Sequence, residues 1–246
     1  MRLPFTTSPP IGTRATLGLI VLQADETIEP EMAQMTAMEG VSLYHSRIRM
    51  EADITPETLA TMLEGIPGST DLLPAIDFDV IGYACTSGAT VIGPENVARA
   101  VQSARPSAKV TDPVTATIAA LRHLGAKRIG FVTPYVADVS GAMRALLELE
   151  GFEIATFASF EEGDDRVVAR IAPASIHAAI LAVNAQAECD AIFVSCTNLR
   201  VLGIAAAAEA EIGRPVVSSN IALGWHMLQL AGLNAPTTLD ARLFKA

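Results

Sequence analysis

Two segments of this chain end on the same device, and no other feature narrows the fold as much. Residues 81–88 read IGYACTSG and residues 192–199 read IFVSCTNL, each an apolar run closed by Cys-Thr and followed by small or polar residues. Cys85 and Cys196 lie 111 residues apart, Gly40 and Gly151 are also 111 apart, and Gly18 and Gly130 are 112 apart. Landmarks at a nearly constant offset imply that one structural unit occurs twice.

That unit is an α/β one. Short β-rich apolar runs predict strands over 17–23, 41–48, 78–85 and 108–112, then over 128–134, 152–159, 191–196 and 214–219. Ala/Leu/Met-rich stretches between them fit helices, among them 55–66 and a second that runs from a cap at Asp138 to a stop at Gly151. Continuously apolar strands separated by helices indicate parallel sheets covered on both faces. The expected fold is therefore α/β: two pseudo-symmetric halves, each a parallel sheet flanked by helices, with the active site in the cleft between them. The chain is divided as 12–112 plus 218–246 for the first half and 113–217 for the second. With 246 residues, half of them hydrophobic, it can fill two modest cores.

In a parallel sheet, ligands bind at the carboxyl ends of the strands, where the next helix offers free N–H groups and a positive dipole end. Cys85 and Cys196 each close a third strand, so two thiols are expected to face one substrate from opposite sides. The N–H groups of Thr86, Ser87 and Gly88, and of Thr197 and Asn198, would hold a carboxylate, and the same helix ends would lower the cysteine pKa values toward neutrality. A thiolate on one face and a thiol on the other suit proton transfer at carbon; addition by one cysteine with proton handling by the other suits them equally. Neither chemistry calls for a metal or an organic cofactor. Cys189, in the polar QAECDA, reads as an inert buried thiol, and His45, His123, His177 and His226 are isolated, without zinc-ligand spacing. Trp225 lies in an apolar helical pattern and reads as core or interface.

Charge and hydropathy exclude several partners. The formal net charge of −10 argues against nucleic acid and anionic membrane. No apolar run reaches the ~18 residues of a bilayer span, and the opening MRLPFTTSPPIGTR lacks the apolar core of a secretory signal. A cytoplasmic location with reduced thiols is expected, and the acidic, Met-rich composition is compatible with a homodimer or homotetramer.

Taken together, YACTSGATVIG, RIGFVTPYVADV, DDRVVARIAPASI and AIFVSCTNLR resemble the aspartate/glutamate racemase superfamily, along nearly the whole chain. Within it the sequence is more similar to the branch of maleate cis–trans isomerases, arylmalonate decarboxylases and the ectoine-utilisation proteins called EutA, and closest to the last. The resemblance implies a cofactor-independent enzyme of pseudo-symmetric halves with one cysteine from each, here Cys85 and Cys196. It implies that Tyr135 hydrogen-bonds substrate, and that Asp25 and Asp165 stand where the isomerases have asparagines that contact it. Those are departures: an asparagine donates to a carboxylate, whereas an ionised aspartate only accepts. Facing the cleft, the two would repel a dicarboxylate and favour a substrate with an ammonium, amide N–H or hydroxyl, as in ectoine degradation; otherwise each caps a turn or helix. The decarboxylases carry glycine at the first cysteine position, so two thiols fit an isomerase or racemase better. The alternatives are an arylmalonate-type decarboxylase using Cys196, a maleate cis–trans isomerase, and a non-catalytic binding protein for small acids.

Overall fold

The computed structural model describes residues 1–51 and 55–246. The chain runs β1 (Ala15–Leu22), α1 (Ile28–Met35), β2 (Val41–Ile48), α2 (Pro56–Asp71), β3 (Val80–Ala84), α3 (Thr86–Ile92), α4 (Pro94–Ala104), β4 (Lys109–Thr111) and α5 (Pro113–His123). It continues with β5 (Arg128–Thr133), α6 (Ala137–Leu149), β6 (Glu153–Ser159), α7 (Asp165–Val168), α8 (Pro173–Gln186), β7 (Ala191–Val194), α9 (Leu202–Ile212), β8 (Val216–Ser218) and α10 (Ser219–Leu230).

Two four-stranded sheets result, ordered β2-β1-β3-β4 and β6-β5-β7-β8, and every strand pair in them is parallel. The second order is the first advanced by four strands, which is the repeat made visible. Gly18 on β1 and Gly130 on β5 occupy matching places: a Cβ at Gly18 would meet Leu73 at 2.9 Å, and one at Gly130 would meet Ile192 at 2.5 Å. β3 and β7 are buried along their whole length, as expected of strands covered on both faces.

The helices begin where local chemistry supplies a cap. Thr55 closes a capping box on α2, and Asp112 accepts from Val114 N–H and Thr115 N–H at 2.8 and 3.1 Å to start α5. The expected cap at Asp138 is not formed. α6 starts at Ala137 behind Val136, because Pro134 and Tyr135 turn the chain early and Ser140 Oγ donates to the Tyr135 carbonyl. Asp138 instead sits in the first turn, where its charge complements the helix dipole. Across the middle of the molecule, α10 packs on α5, α1, β3 and β4. It buries Trp225, whose ring centroid is 5.1 Å from that of His123. Among the described residues, no helix is long and apolar enough to cross a membrane.

Candidate active site

Cys85 and Cys196 come from the carboxyl ends of β3 and β7, and both thiols are buried, 1% and 2% exposed. A single hydroxyl draws the two ends together. Ser219 Oγ, in the first turn of α10, accepts from Thr86 Oγ1 at 2.9 Å and from Cys196 N–H at 3.0 Å. It therefore bonds the neighbour of one cysteine and the backbone of the other. Ser219 had no place among the sequence candidates, although VVSSN at a strand's carboxyl end was its signal.

The two thiols are held differently. Cys85 is extended (φ −146°, ψ 112°) and caps α3, taking the Gly88 N–H at 3.1 Å, with Ser87 Oγ at 3.7 Å. A Cβ on Gly88 would lie 2.8 Å from Cys85 Sγ and 2.8 Å from the Tyr83 hydroxyl, so only glycine lets the helix approach so closely. Cys196 has φ +123°, a region that L side chains rarely adopt. Its thiol takes the Asn198 N–H at 3.3 Å, and the Tyr135 hydroxyl is near enough to favour the charged sulfur. The segment after Cys196 does not enter a helix directly as the parallel with Cys85 implied. Thr197 and Asn198 lie in a turn and α9 begins only at Leu202, so the helix end beside Cys196 is that of α10, through Ser219, and not that of the helix that follows it in the chain.

The expected depression of the thiol pKa values is overturned. Burial outweighs the N–H groups and pushes Cys85 up to about 12 and Cys196 well above its ordinary value. Two of the expected carboxylate donors, the Gly88 and Asn198 N–H groups, are turned onto the thiols.

Asn198 works chiefly through its side chain. Its amide donates to Asp165 Oδ2 at 3.0 Å, and its carbonyl oxygen accepts the Glu26 N–H at 2.9 Å. Thr27 Oγ1 donates to its backbone carbonyl at 3.0 Å. The loop after β1 is thus tied to the far half at the residue that follows Cys196-Thr197. Arg47 Nη1 secures the same loop from its own side, donating to the carbonyls of Leu22, Gln23 and Asp25.

Both aspartates are buried within this network. Asp25 divides its roles: Oδ1 accepts the Thr27 and Ile28 N–H groups, each at 2.8 Å, at the start of α1. Among the described residues Oδ2 is buried with no donor in hydrogen-bond geometry, and the nearby Thr197 hydroxyl favours its charge. Asp165 is not the cap of α7, a task done by Asp164. Burial first, and then the Asp25 charge, push its carboxyl up to about 6. Asp25 is likewise raised by burial. Tyr135 is buried, and burial first, then the neighbouring Cys196 and Cys85, push its phenol well above its ordinary value.

A cavity of about 280 Å³, lined by Gln23, Ala24, Met50, Glu51, Asp164, Asp165 and Arg166, adjoins Asp165 from outside. Larger cavities of about 510 and 610 Å³ lie along α2 and between α4 and α5, away from the thiols. Cys189 lies just before β7, and its burial raises the thiol pKa.

Residues 17–244 match the profile of the family described as arylmalonate decarboxylase. A maleate isomerase of Nocardia farcinica is 30% identical over 242 residues, covering 93% of this chain and 95% of that protein. Among solved structures, a maleate isomerase from Pseudomonas putida S16 superposes with a TM-score of 0.83 at 26% identity, covering 92% of this chain and 98% of that one. The Nocardia farcinica maleate cis-trans isomerase, as a cysteine-to-serine mutant with a covalently bound succinylcysteine intermediate, gives a TM-score of 0.83 at 27% identity, covering 94% of this chain and 98% of the other.

Proposed function

This chain belongs to the arylmalonate decarboxylase family, and from that premise we propose that it is a cytoplasmic, cofactor-independent isomerase or racemase of a small carboxylic acid bearing an amine or amide N–H. The observation that carries the proposal is the Ser219 bridge, because it brings two buried cysteine ends from two separate sheets against one oxygen. A reacting carbon between them has sulfur on both faces.

The thiols divide the work by their surroundings. Cys85 has the Gly88 N–H and the Ser87 hydroxyl to support a negative sulfur. Cys196 has the Asp165 charge beside it, which after burial is the largest influence keeping its proton on. Burial keeps Cys85 protonated in the closed site, so it gives its proton to solvent before the cleft closes on substrate. The resulting thiolate takes the proton from the carbon next to the substrate carboxylate, leaving a neutral thiol and an enolate. Cys196 gives its proton to the opposite face and is left as the thiolate. The N–H groups of Thr86, Ser87 and Thr197 hold the carboxylate, and Tyr135 hydrogen-bonds the substrate as the proton moves.

Asp25 and Asp165 select the substrate. A buried carboxylate oxygen without a donor, beside a second carboxylate, is completed by an N–H-bearing or cationic group and repelled by another carboxylate. The same aspartates favour the ectoine-utilisation proteins over the maleate isomerases as the nearer functional kin. Ligand-induced thermal stabilisation tests this directly. At pH 8, 2,4-diaminobutyrate should stabilise the protein and maleate should not, and Asp25→Asn with Asp165→Asn should reverse the order. Stabilisation by maleate alone in the unsubstituted protein contradicts the selection.

Decarboxylation of a malonate-like acid is the second reading, favoured by the family's description and by the dryness of the site. It needs only Cys196 as proton donor. Carbon dioxide release that survives Cys85→Gly and is lost in Cys196→Ala would establish it.

A further inference from the structure

The repeat is broken at its two tyrosines. Tyr135 serves Cys196, yet the place 111 residues before it holds Ala24; the place 111 residues after Tyr83 holds Val194. Each half thus carries one tyrosine near the site, at non-equivalent positions. Tyr83 lies two residues before Cys85, and both are extended, so the strand's period of two sends the side chains to the same side of the sheet. The phenol is fully buried and donates to the Met62 thioether at 3.9 Å, a weak acceptor for so strong a donor. The Tyr83 hydroxyl and Cys85 Sγ both border the space over Gly88, each 2.8 Å from where a Cβ would stand.

We propose that Tyr83 is a positioning residue for Cys85, its hydroxyl turning from the Met62 thioether to donate to the sulfur when Cys85 loses its proton. Only the O–H rotates; no covalent bond changes. The first thiol then has three donors, Gly88 N–H, Ser87 Oγ and Tyr83 Oη, and the phenol does for Cys85 what Tyr135 does for Cys196. The inference rests on Cys85 being the thiolate of the proposed reaction, but its test needs no substrate, so the two can fail separately.

The test compares iodoacetamide alkylation of the full chain and of Tyr83→Phe between pH 7 and 9, with Cys85 and Cys196 resolved by peptide mass spectrometry. Cys196 in the same samples is the reference for opening of the site, so the ratio of the two rates separates thiolate character from a general change in access. Losing a hydrogen bond to a charged sulfur should slow Cys85 about tenfold, with Cys196 unchanged within about twofold. A purely packing role has the opposite sign: loosening the site would speed both thiols. Cys85 alkylation that is unchanged or faster overturns the proposal. If Tyr83→Phe does not fold, 3-fluorotyrosine at position 83 keeps the shape and strengthens the donor. Cys85 should then react faster relative to Cys196, and an unchanged ratio overturns the proposal.

Discussion

Cys196 shows at the scale of one residue how this site is built. A side chain at φ +123° is held against its own preference, at a cost of about 1–3 kcal/mol, by Ser219 Oγ on its N–H and Asn198 N–H on its sulfur. Glycine has no such preference. In urea denaturation, Cys196→Gly should therefore exceed Cys196→Ala in stability by about 1 kcal/mol; equal stabilities would mean the backbone is not strained. Gly88 gives the converse case. Gly88→Ala pushes a methyl group into Cys85 Sγ and the Tyr83 hydroxyl, and should lose about 2 kcal/mol of stability in the same experiment. These constraints were not legible in the sequence. Cys85 and Cys196 stood out because an apolar run closed by Cys-Thr can be seen in one dimension. The positive φ of Cys196 and the crowding at Gly88 arise only when three elements meet. The thiol pKa values were misjudged for a related reason: a helix end can be read from sequence, but the burial that outweighs it cannot.

At the scale of elements, the two halves are joined by polar side chains that reach across and cap one another. Glu31 on α1 accepts the Val201 and Leu202 N–H groups at 3.0 and 2.9 Å, capping α9 of the other half, and accepts Asn220 Nδ2 at 2.8 Å. Burial outweighs these donors and pushes its carboxyl up to about 7. The folded-state value thus lies above the unfolded one, so the folded chain binds the extra proton. Its stabilising contribution is complete below about pH 4.5 and is lost as pH rises through about 7, a change of about 3 kcal/mol. The buried Asp25, Asp112, Asp165 and Glu209 are shifted in the same direction. Urea midpoints should accordingly fall between pH 5 and 8, and Glu31→Gln should flatten part of that fall; an unaltered slope would remove Glu31 from the account. The eight strands were legible because continuous apolar runs mark buried parallel strands, and their observed edges differ from expectation by a residue or two at most ends. The cap of α9 was not legible, because its acceptor lies 170 residues away in the chain.

At the scale of the whole molecule, the repeat makes two sheets and the ties between them close the site. We propose that the halves divide as 12–112 plus 218–246 against 113–217, with α10 returning over the first sheet to bring Ser219 to both cysteines. Substrate must displace part of the closed shell to reach thiols this deeply buried, and the cavity lined by Asp165 lies outside that shell. The direct test of the central claim is proton exchange at carbon. The protein, Cys85→Ala and Cys196→Ala are each incubated in D₂O with L-aspartate, L-glutamate and L-2,4-diaminobutyrate, and deuterium at the α-carbon is followed by NMR. Wild-type protein should exchange the α-proton of at least one of these acids, and either substitution should slow that exchange by at least about 100-fold. No exchange with any of the three, or exchange that persists in both variants, would contradict a two-thiol isomerase of amine-bearing acids.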